Sequence, residues 1–208
     1  HRLIRRQRQM CIRDSFNKDP SYNTYQWWNF DVVNLPEGLD RIGAEVKPVN
    51  VAVLDSGSPY SVDPAYQRSI FNTEWGWDME DNDNLADDVE FEQQSFSHGV
   101  HVGSTISQLN DGIDGNGFGA RVTPLRVCYQ SGCGPTYEAY LFLNGDDNQS
   151  ETSFAQRSGN QTLHSMNMSY GGGGSDSSAA CSKLAQLSEK GILVASSSGN
   201  GGIGSMNY

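Results

Sequence analysis

The sequence predicts an α/β domain with a mostly parallel central sheet flanked by helices. Short apolar segments of strand type alternate with segments whose apolar residues recur at helical spacing. Turn formers end the apolar segments, and Asp55, Ser169 and Asn200 stand at three of these ends. Because sites in parallel sheets form outside the carboxyl ends of the strands, we expect these residues to share one rim of the domain.

Four strands are predicted from short apolar runs that end in turn residues. They cover residues 49–54, 121–127, 163–169 and 191–195, and the last is expected to be buried. Three helices are predicted between them, at residues 97–109, 135–143 and 178–190. Ser97 is a candidate N-cap for the first, Pro135 opens the second, and Gly191 ends the third. Residues 78–90 and 110–119 are expected to be loops.

The charge balance excludes some classes of partner. With 14 Lys and Arg against 25 Asp and Glu, the formal net charge is -11. An acidic chain repels phosphate backbones, so we expect no nucleic-acid partner, and it favours cations. No apolar run is long enough to form a transmembrane helix, so no membrane partner is expected either.

The first fifteen residues differ from the rest of the chain. Five arginines and one aspartate fall within them. Residues 10–15 resemble the translation of a transposon end used in sequencing libraries. We therefore expect residues 1–15 to be a non-native tail, with a disordered basic arm as the alternative, and residues 16–208 to form the domain.

Four sequence blocks resemble the subtilase family of serine proteases. Residues 51–57, Val-Ala-Val-Leu-Asp-Ser-Gly, are similar to the family's Asp block, and residues 97–106 are similar to its His block, usually written HGTHVAGT. Residues 166–172 resemble its NMSLGG segment, and residues 191–200 resemble the strand before its oxyanion Asn. The blocks stand in the family's order, and the resemblance covers roughly residues 17–208.

The resemblance implies an Asp-His-Ser mechanism. His98 would act as the general base, and Asp55 would hold its ring and stabilise the imidazolium. The side-chain amide of Asn200 would donate a hydrogen bond to the oxyanion of the tetrahedral intermediate. Taken singly, Asp55 is a common turn former and Asn200 an ordinary turn residue. His98 and His101 could also form a metal pair, although no third ligand is evident.

The sequence also departs from the family pattern. In the His block, Val100, Gly103 and Ser104 stand where the family usually has Thr, Ala and Gly. No block resembles Gly-Thr-Ser-Met-Ala, which carries the nucleophile. We therefore expect an incomplete domain, truncated at its C-terminal side, that is inactive alone although its parent is a peptidase. The alternative is a non-catalytic, calcium-stabilised binding domain of protease-like fold.

The resemblance also implies substrates and a compartment. Two segments are expected to bind the substrate: Ser131, Gly132 and Gly134 in one, and Ser169, Tyr170 and Gly171 in the other. Protein or peptide substrates, and its own propeptide, are the expected partners. Secretion to an extracellular or periplasmic space is the expected localisation.

Calcium is the expected cofactor. Hard oxygen ligands at alternate positions suit Ca²⁺, and such aspartates crowd one short segment: Asp78, Asp81, Asp83, Asp87 and Asp88. The alternative is a solvated acidic loop. Residues 110–115 match the position of the family's other calcium loop.

Three of the four cysteines lie in the expected domain. Relatives with cysteines at the positions of Cys133 and Cys181 often join them, so the resemblance implies a Cys133–Cys181 disulfide. Cys128, at the end of an apolar strand, is expected to be a buried thiol. The alternative is three free thiols.

Overall fold

The computed structural model of this chain describes residues 32, 34, 49–59, 71–88, 98–107, 120–129, 132–171 and 177–199. The chain divides into two compact units, His1–Lys47 and Pro48–Tyr208. In the first unit only Val32 and Asn34 are described, so the predicted tail at residues 1–15 lies outside the described residues. All elements discussed below belong to the second unit.

The strands follow the apolar runs of the sequence. The described residues form β1 (Val49–Asp55), β2 (Trp77–Asp78), β3 (Ala120–Arg126), β4 (Cys128–Tyr129), β5 (Gly132–Cys133), β6 (Ser165–Met168) and β7 (Leu193–Ser196). Five of them make one sheet in the order β2-β3-β1-β6-β7, with every pairing parallel. This confirms the predicted α/β fold with its parallel sheet. The two-residue strands β2, β4 and β5 were not predicted.

Four α-helices accompany the sheet among the described residues: α1 (His98–Ser107), α2 (Thr136–Asn144), α3 (Phe154–Ser158) and α4 (Ser178–Glu189). The side chain of Ser177 caps α4 by accepting a hydrogen bond from the amide of Ala180, and Gly191 takes a left-handed φ of 83° just beyond it. Within the described part of the chain, no helix has the length and apolar character needed to cross a membrane.

The side chains of β1 alternate between two cores, as expected for a central strand. Ala52 and Leu54 lie in the larger core, which α2, α3 and α4 cover through Phe142, Phe154 and Leu187 among other residues. Val51 and Val53 lie in a smaller core with Phe71, against which Val102 and Ile106 of α1 pack. The sheet therefore has helices on both faces, and α1 lies on the face toward which Asp55 alternates.

The predicted burial of residues 191–195 is wrong for most of the strand. Ile192 is buried, but Leu193 is 70% exposed and Val194 is only half-buried. The reason is position: β7 lies at the edge of the sheet and pairs with β6 alone among the described strands. The aliphatic composition predicted a buried strand, whereas no described element covers the outer side of this one.

The predicted Cys133–Cys181 disulfide is also wrong. Cys133 forms a disulfide with Cys128, and the two Cα atoms lie 3.9 Å apart. Strands β4 and β5 form an antiparallel hairpin that places these cysteines directly opposite each other. Cys181 is an exposed free thiol on α4, and Cys128 is buried as expected but is not a thiol.

The space beside Gly103 explains one departure from the family pattern. A Cβ atom at Gly103 would lie 2.6 Å from Cζ of Phe71, whose ring is buried in the smaller core. Contacts this short require the neighbour to move, and Val122 and α1 confine the ring. The Phe71 ring thus occupies the space that an alanine methyl group would need.

We therefore predict that Gly103→Ala destabilises the domain by about 1–3 kcal/mol through overpacking, although alanine has the higher helix propensity. Thr105→Ala is the matched control, because Thr105 lies on the exposed side of the same helix and its replacement should change stability by less than about 0.5 kcal/mol. Urea unfolding of the chain measures both. An unchanged or increased free energy of unfolding for Gly103→Ala would contradict the packing account.

Candidate active site

The site is built at the carboxyl end of β1. Asp55 is the last residue of this strand and pairs in register with Arg126 of β3. The residue is 2% exposed, and its Oδ1 accepts a hydrogen bond of 2.8 Å from the backbone amide of Ser56. A buried carboxylate needs such partners because desolvation otherwise disfavours its charge.

His98 provides a second hydrogen-bond partner for Asp55. It is the first residue of α1, and its Nδ1 lies 2.8 Å from Oδ1 and 3.0 Å from Oδ2 of Asp55. An ionised carboxylate only accepts hydrogen bonds, so Nδ1 of His98 must carry the proton that is shared. In the neutral ring Nε2 is then free of a proton and can accept one.

The two partners differ in exposure in the way that proton transfer requires. The His98 side chain is 57% exposed, whereas that of Asp55 is 3% exposed. A reactant can therefore reach the imidazole while the carboxylate stays shielded from solvent. A buried carboxylate that orients an accessible imidazole can hold one tautomer and stabilise the imidazolium that forms when the ring takes up a proton.

The segment after β6 lies beside this pair. Leu54 of β1 pairs in register with Met168 of β6, so Ser169 follows its strand at the level at which Asp55 ends β1. Ser197, just beyond β7, donates from its backbone amide to the carbonyl of Met168 and from its Oγ to the carbonyl of Tyr170, both at 3.0 Å. Three strand ends thus meet at one edge, which places Asp55 and Ser169 on the predicted rim, whereas Asn200 lies outside the described residues.

Tyr170 points its hydroxyl inward. Burial raises the pKa of Tyr170 well above its ordinary value. A hydrogen bond of 3.1 Å between its hydroxyl and Thr136 Oγ1 lowers this pKa but does not cancel the effect of burial. The charges of Tyr140 and Asp55 raise this pKa further, so the phenol lies within electrostatic reach of the site carboxylate. Tyr170 is therefore a neutral phenol that packs against the larger core.

The remaining predicted substrate residues are only partly described. Gly132 and Gly134 lie in and beside the disulfide-bonded hairpin, where the amide of Gly134 donates to the carbonyl of Val127 at 3.0 Å. Gly171 is exposed directly after Tyr170. Ser131 and the predicted oxyanion donor Asn200 lie outside the described residues.

The five aspartates proposed as calcium ligands do not fit a calcium site. Asp78 is 2% exposed, and its Oδ2 accepts a hydrogen bond of 2.5 Å from Nη1 of Arg126, which also donates to Asp81 at 2.7 Å. The other oxygen of Asp78 accepts the backbone amides of Glu80 and Asp81. A guanidinium already neutralises these carboxylates, so they are not a ligand set for a cation.

Of the other three aspartates, Asp83 forms an antiparallel backbone bridge with Asp78, whereas Asp87 and Asp88 lie elsewhere. Asp83 Oδ1 accepts the amide of Leu85 in a local turn, whereas Asp87 and Asp88 are buried beside the end of β1, where Asp87 forms a parallel bridge with Ser58. In the part of the chain that the structure describes, no group of three or more His, Cys, Asp or Glu side chains could hold a metal ion. The second predicted calcium loop, residues 110–115, lies outside the described residues.

Arg126 is a residue that sequence reasoning missed. Burial alone would lower the pKa of its guanidinium, but the hydrogen bonds and charges of Asp78 and Asp81 raise it. The guanidinium also lies 5.4 Å from the ring centroid of Tyr129, within cation–π range. The only signal in the sequence is a basic residue ending an apolar strand, 48 residues from its main partner.

Comparison with known proteins identifies the family to which the chain is similar. The subtilase family model, Peptidase_S8, matches residues 47–207. Subtilisin Savinase from Lederbergia lenta is 28% identical over 184 residues, which cover 87% of this chain and 58% of that protein. An alkaline protease from Shouchella clausii is 28% identical over 87% of this chain and 41% of its own length. An alkaline protease from Alkalihalobacillus alcalophilus is 27% identical, with the same two shares.

The fold and the site define a parallel α/β domain that presents a hydrogen-bonded Asp–His pair at the carboxyl edge of its sheet. The chain belongs to the subtilase family, since the family model matches well over half of its residues. The chain is therefore related to serine proteases. The chain spans between 41% and 58% of the length of these curated relatives.

The buried ion pair gives a stability prediction. Arg126→Met should destabilise the domain by about 3–5 kcal/mol, because it leaves the carboxylate of Asp78 buried without its charged partner. Lys183→Met is the control, since it removes the more exposed pair of Lys183 with Asp146, which are 2.8 Å apart, and should cost less than about 1 kcal/mol. Denaturant unfolding compares the two variants. Equal losses would contradict the assignment of Arg126 to a buried pair.

Proposed function

We propose that this chain supplies the Asp–His portion of a serine endopeptidase that hydrolyses peptide bonds by an Asp-His-Ser mechanism. The observation that carries the proposal is the hydrogen bond of 2.8 Å between buried Asp55 and exposed His98 at the carboxyl edge of the sheet. Membership of the subtilase family supports a peptidase rather than another use of the same pair.

In the proposed reaction His98 is the general base. Its Nε2 takes the proton of the attacking serine hydroxyl and then returns it to the leaving amine, while Asp55 stabilises the imidazolium between these steps. Asn200 donates its side-chain amide hydrogen to the oxyanion of the tetrahedral intermediate. Each role comes from the match between this sequence and the family blocks.

The serine nucleophile is the part that these 208 residues do not provide. They contain no block that resembles Gly-Thr-Ser-Met-Ala. The proposal therefore assigns the nucleophile to a segment outside this sequence and expects the 208-residue polypeptide to be inactive alone. The same observation favours a second candidate, a non-catalytic binding domain of protease-like fold.

The proposed partners follow from the proposed chemistry. They are protein or peptide substrates and a propeptide of the same protein, and the acidic charge argues against nucleic acid. The Cys128–Cys133 disulfide supports a secreted protein, because disulfides persist in oxidising compartments. Calcium stays a prediction for residues 110–115 and is not proposed for the aspartates around Arg126.

The activity prediction separates the two candidates. The 208-residue chain should neither hydrolyse peptides nor react with a serine-directed phosphonate, because both need an activated serine. A longer chain that includes the downstream reading frame should do both, and His98→Ala in it should lower kcat by at least about 10⁴-fold.

The matched control is His101→Ala, since His101 is an exposed residue on the next turn of the same helix. This variant should keep most of the activity. A stop codon directly after Tyr208 would favour the binding domain, and turnover by the purified 208-residue chain itself would contradict the proposed mechanism.

A further inference from the structure

Ser56 forms hydrogen bonds both with Asp55 and with the residue that follows His98. Its backbone amide donates to Oδ1 of Asp55 at 2.8 Å, and its Oγ accepts the backbone amide of Gly99 at 2.8 Å. Gly99 directly follows His98, and its amide is one of the first-turn donors that an α-helix leaves without an internal partner. The hydroxyl of Ser56 therefore caps α1 from another part of the chain.

Asp88 holds that hydroxyl in place. Ser56 Oγ donates to Oδ2 of Asp88 at 2.5 Å, and Asp88 is 1% exposed. Since the amide of Gly99 can only donate, the Ser56 hydroxyl accepts from Gly99 and gives its own proton to Asp88. A hydrogen bond to a carboxylate is stronger than one between two neutral groups. It also polarises Ser56 Oγ, the atom that accepts the hydrogen bond from the Gly99 amide.

The segment that carries Asp88 is fixed to the end of β1. The amide of Asp88 donates to the carbonyl of Ser58 at 2.7 Å, and the amide of Ser58 donates to the carbonyl of Ala86 at 2.9 Å. Gly57, which lies between Ser56 and Ser58, has a φ of 116°, and a Cβ atom there would lie 2.9 Å from the carbonyl oxygen of Ala86. Asp88 is therefore not free to move relative to Ser56.

The first turn of α1 packs onto the same turn without a gap. A Cβ atom at Gly99 would lie 2.8 Å from the carbonyl oxygen of Gly57 and 2.9 Å from Ser56 Oγ. Any shift of the Ser56 hydroxyl therefore moves the peptide bond between His98 and Gly99. The imidazole is attached one residue before that amide, so its distance from Asp55 depends on this contact.

We propose that Asp88 is a positioning residue, which orients the hydroxyl of Ser56 and through it holds the first turn of α1 so that His98 meets Asp55. The catalytic meaning of this hydrogen-bond chain rests on the proposed function. The arrangement itself does not, because it concerns the His98 ring in the 208-residue chain. The test therefore measures where the His98 ring is protonated and does not measure peptide hydrolysis.

The experiment follows the His98 ring by long-range proton–nitrogen correlation in the 208-residue chain with ¹⁵N-labelled histidine, with His98→Gln to identify its signal. The quantity measured is the ratio of neutral ring protonated on Nδ1 to ring protonated on Nε2. Ser56→Ala and Asp88→Ala should each lower this ratio by roughly tenfold, the effect of one lost hydrogen bond. Ser56→Thr, which keeps a hydroxyl, should preserve it.

Two further variants make the test specific. The double variant with both Ser56→Ala and Asp88→Ala should lower the tautomer ratio no further than either single variant. Asp88 acts through Ser56, so it has no hydroxyl to orient once Ser56 is replaced. Asp83→Ala, in the same acidic segment but exposed, should leave the ratio unchanged and controls for the loss of a charge.

Three results would overturn the proposal. One is an unchanged His98 ratio in Asp88→Ala, or, if that variant unfolds, in Asp88→Asn. Another is a double variant whose fold-loss equals the product of the two single fold-losses, since Asp88 would then act by another route. The last is unfolding of both Asp88 variants where Ser56→Ala stays folded, because Asp88 would then support the domain independently of Ser56.

Discussion

A carboxylate buried at the end of a central strand has to be satisfied by its neighbours. Asp55 is 2% exposed, and its Oδ1 lies within hydrogen-bond distance of the amide of Ser56 and of Nδ1 of His98. The second partner lies 43 residues away, so α1 must begin where its first residue reaches the end of β1. The glycines at 57 and 99 let the backbones approach closely enough for that meeting. Chemistry at the site thus depends on one short contact between a strand and a helix.

A second buried charge lies on the neighbouring strand. Arg126 pairs in register with Asp55 but forms its ion pairs with Asp78 and Asp81. Its guanidinium is satisfied by two carboxylates that would otherwise be available to a metal ion, and the described aspartates around it form no group that could hold one. Two ionised groups at adjacent strand ends therefore have separate partners, and the carboxylate of Asp55 remains paired with His98.

The long apolar strands and α1 could be predicted because their patterns are local, and Asp55 and His98 because each lies in a recognisable block. The link from Asp88 through Ser56 could not, since its residues are 32 apart and neither carries a local signal. The same holds for Arg126 and for the two-residue strands that bring Cys128 and Cys133 together. By contrast, α3 had a readable signal, a Ser153 cap with a glutamine three residues later and a left-handed glycine at its end.

The central claim is that Asp55 fixes the ring of His98, and the location of the ring proton tests it most directly. The chemical shifts of the two ring nitrogens, compared between the 208-residue chain and its Asp55→Asn variant at a pH where the ring is neutral, report that location. The account predicts the proton on Nδ1 in the unchanged chain and on Nε2 in Asp55→Asn, because an asparagine amide can donate to Nδ1. The same proton distribution in both chains would contradict it.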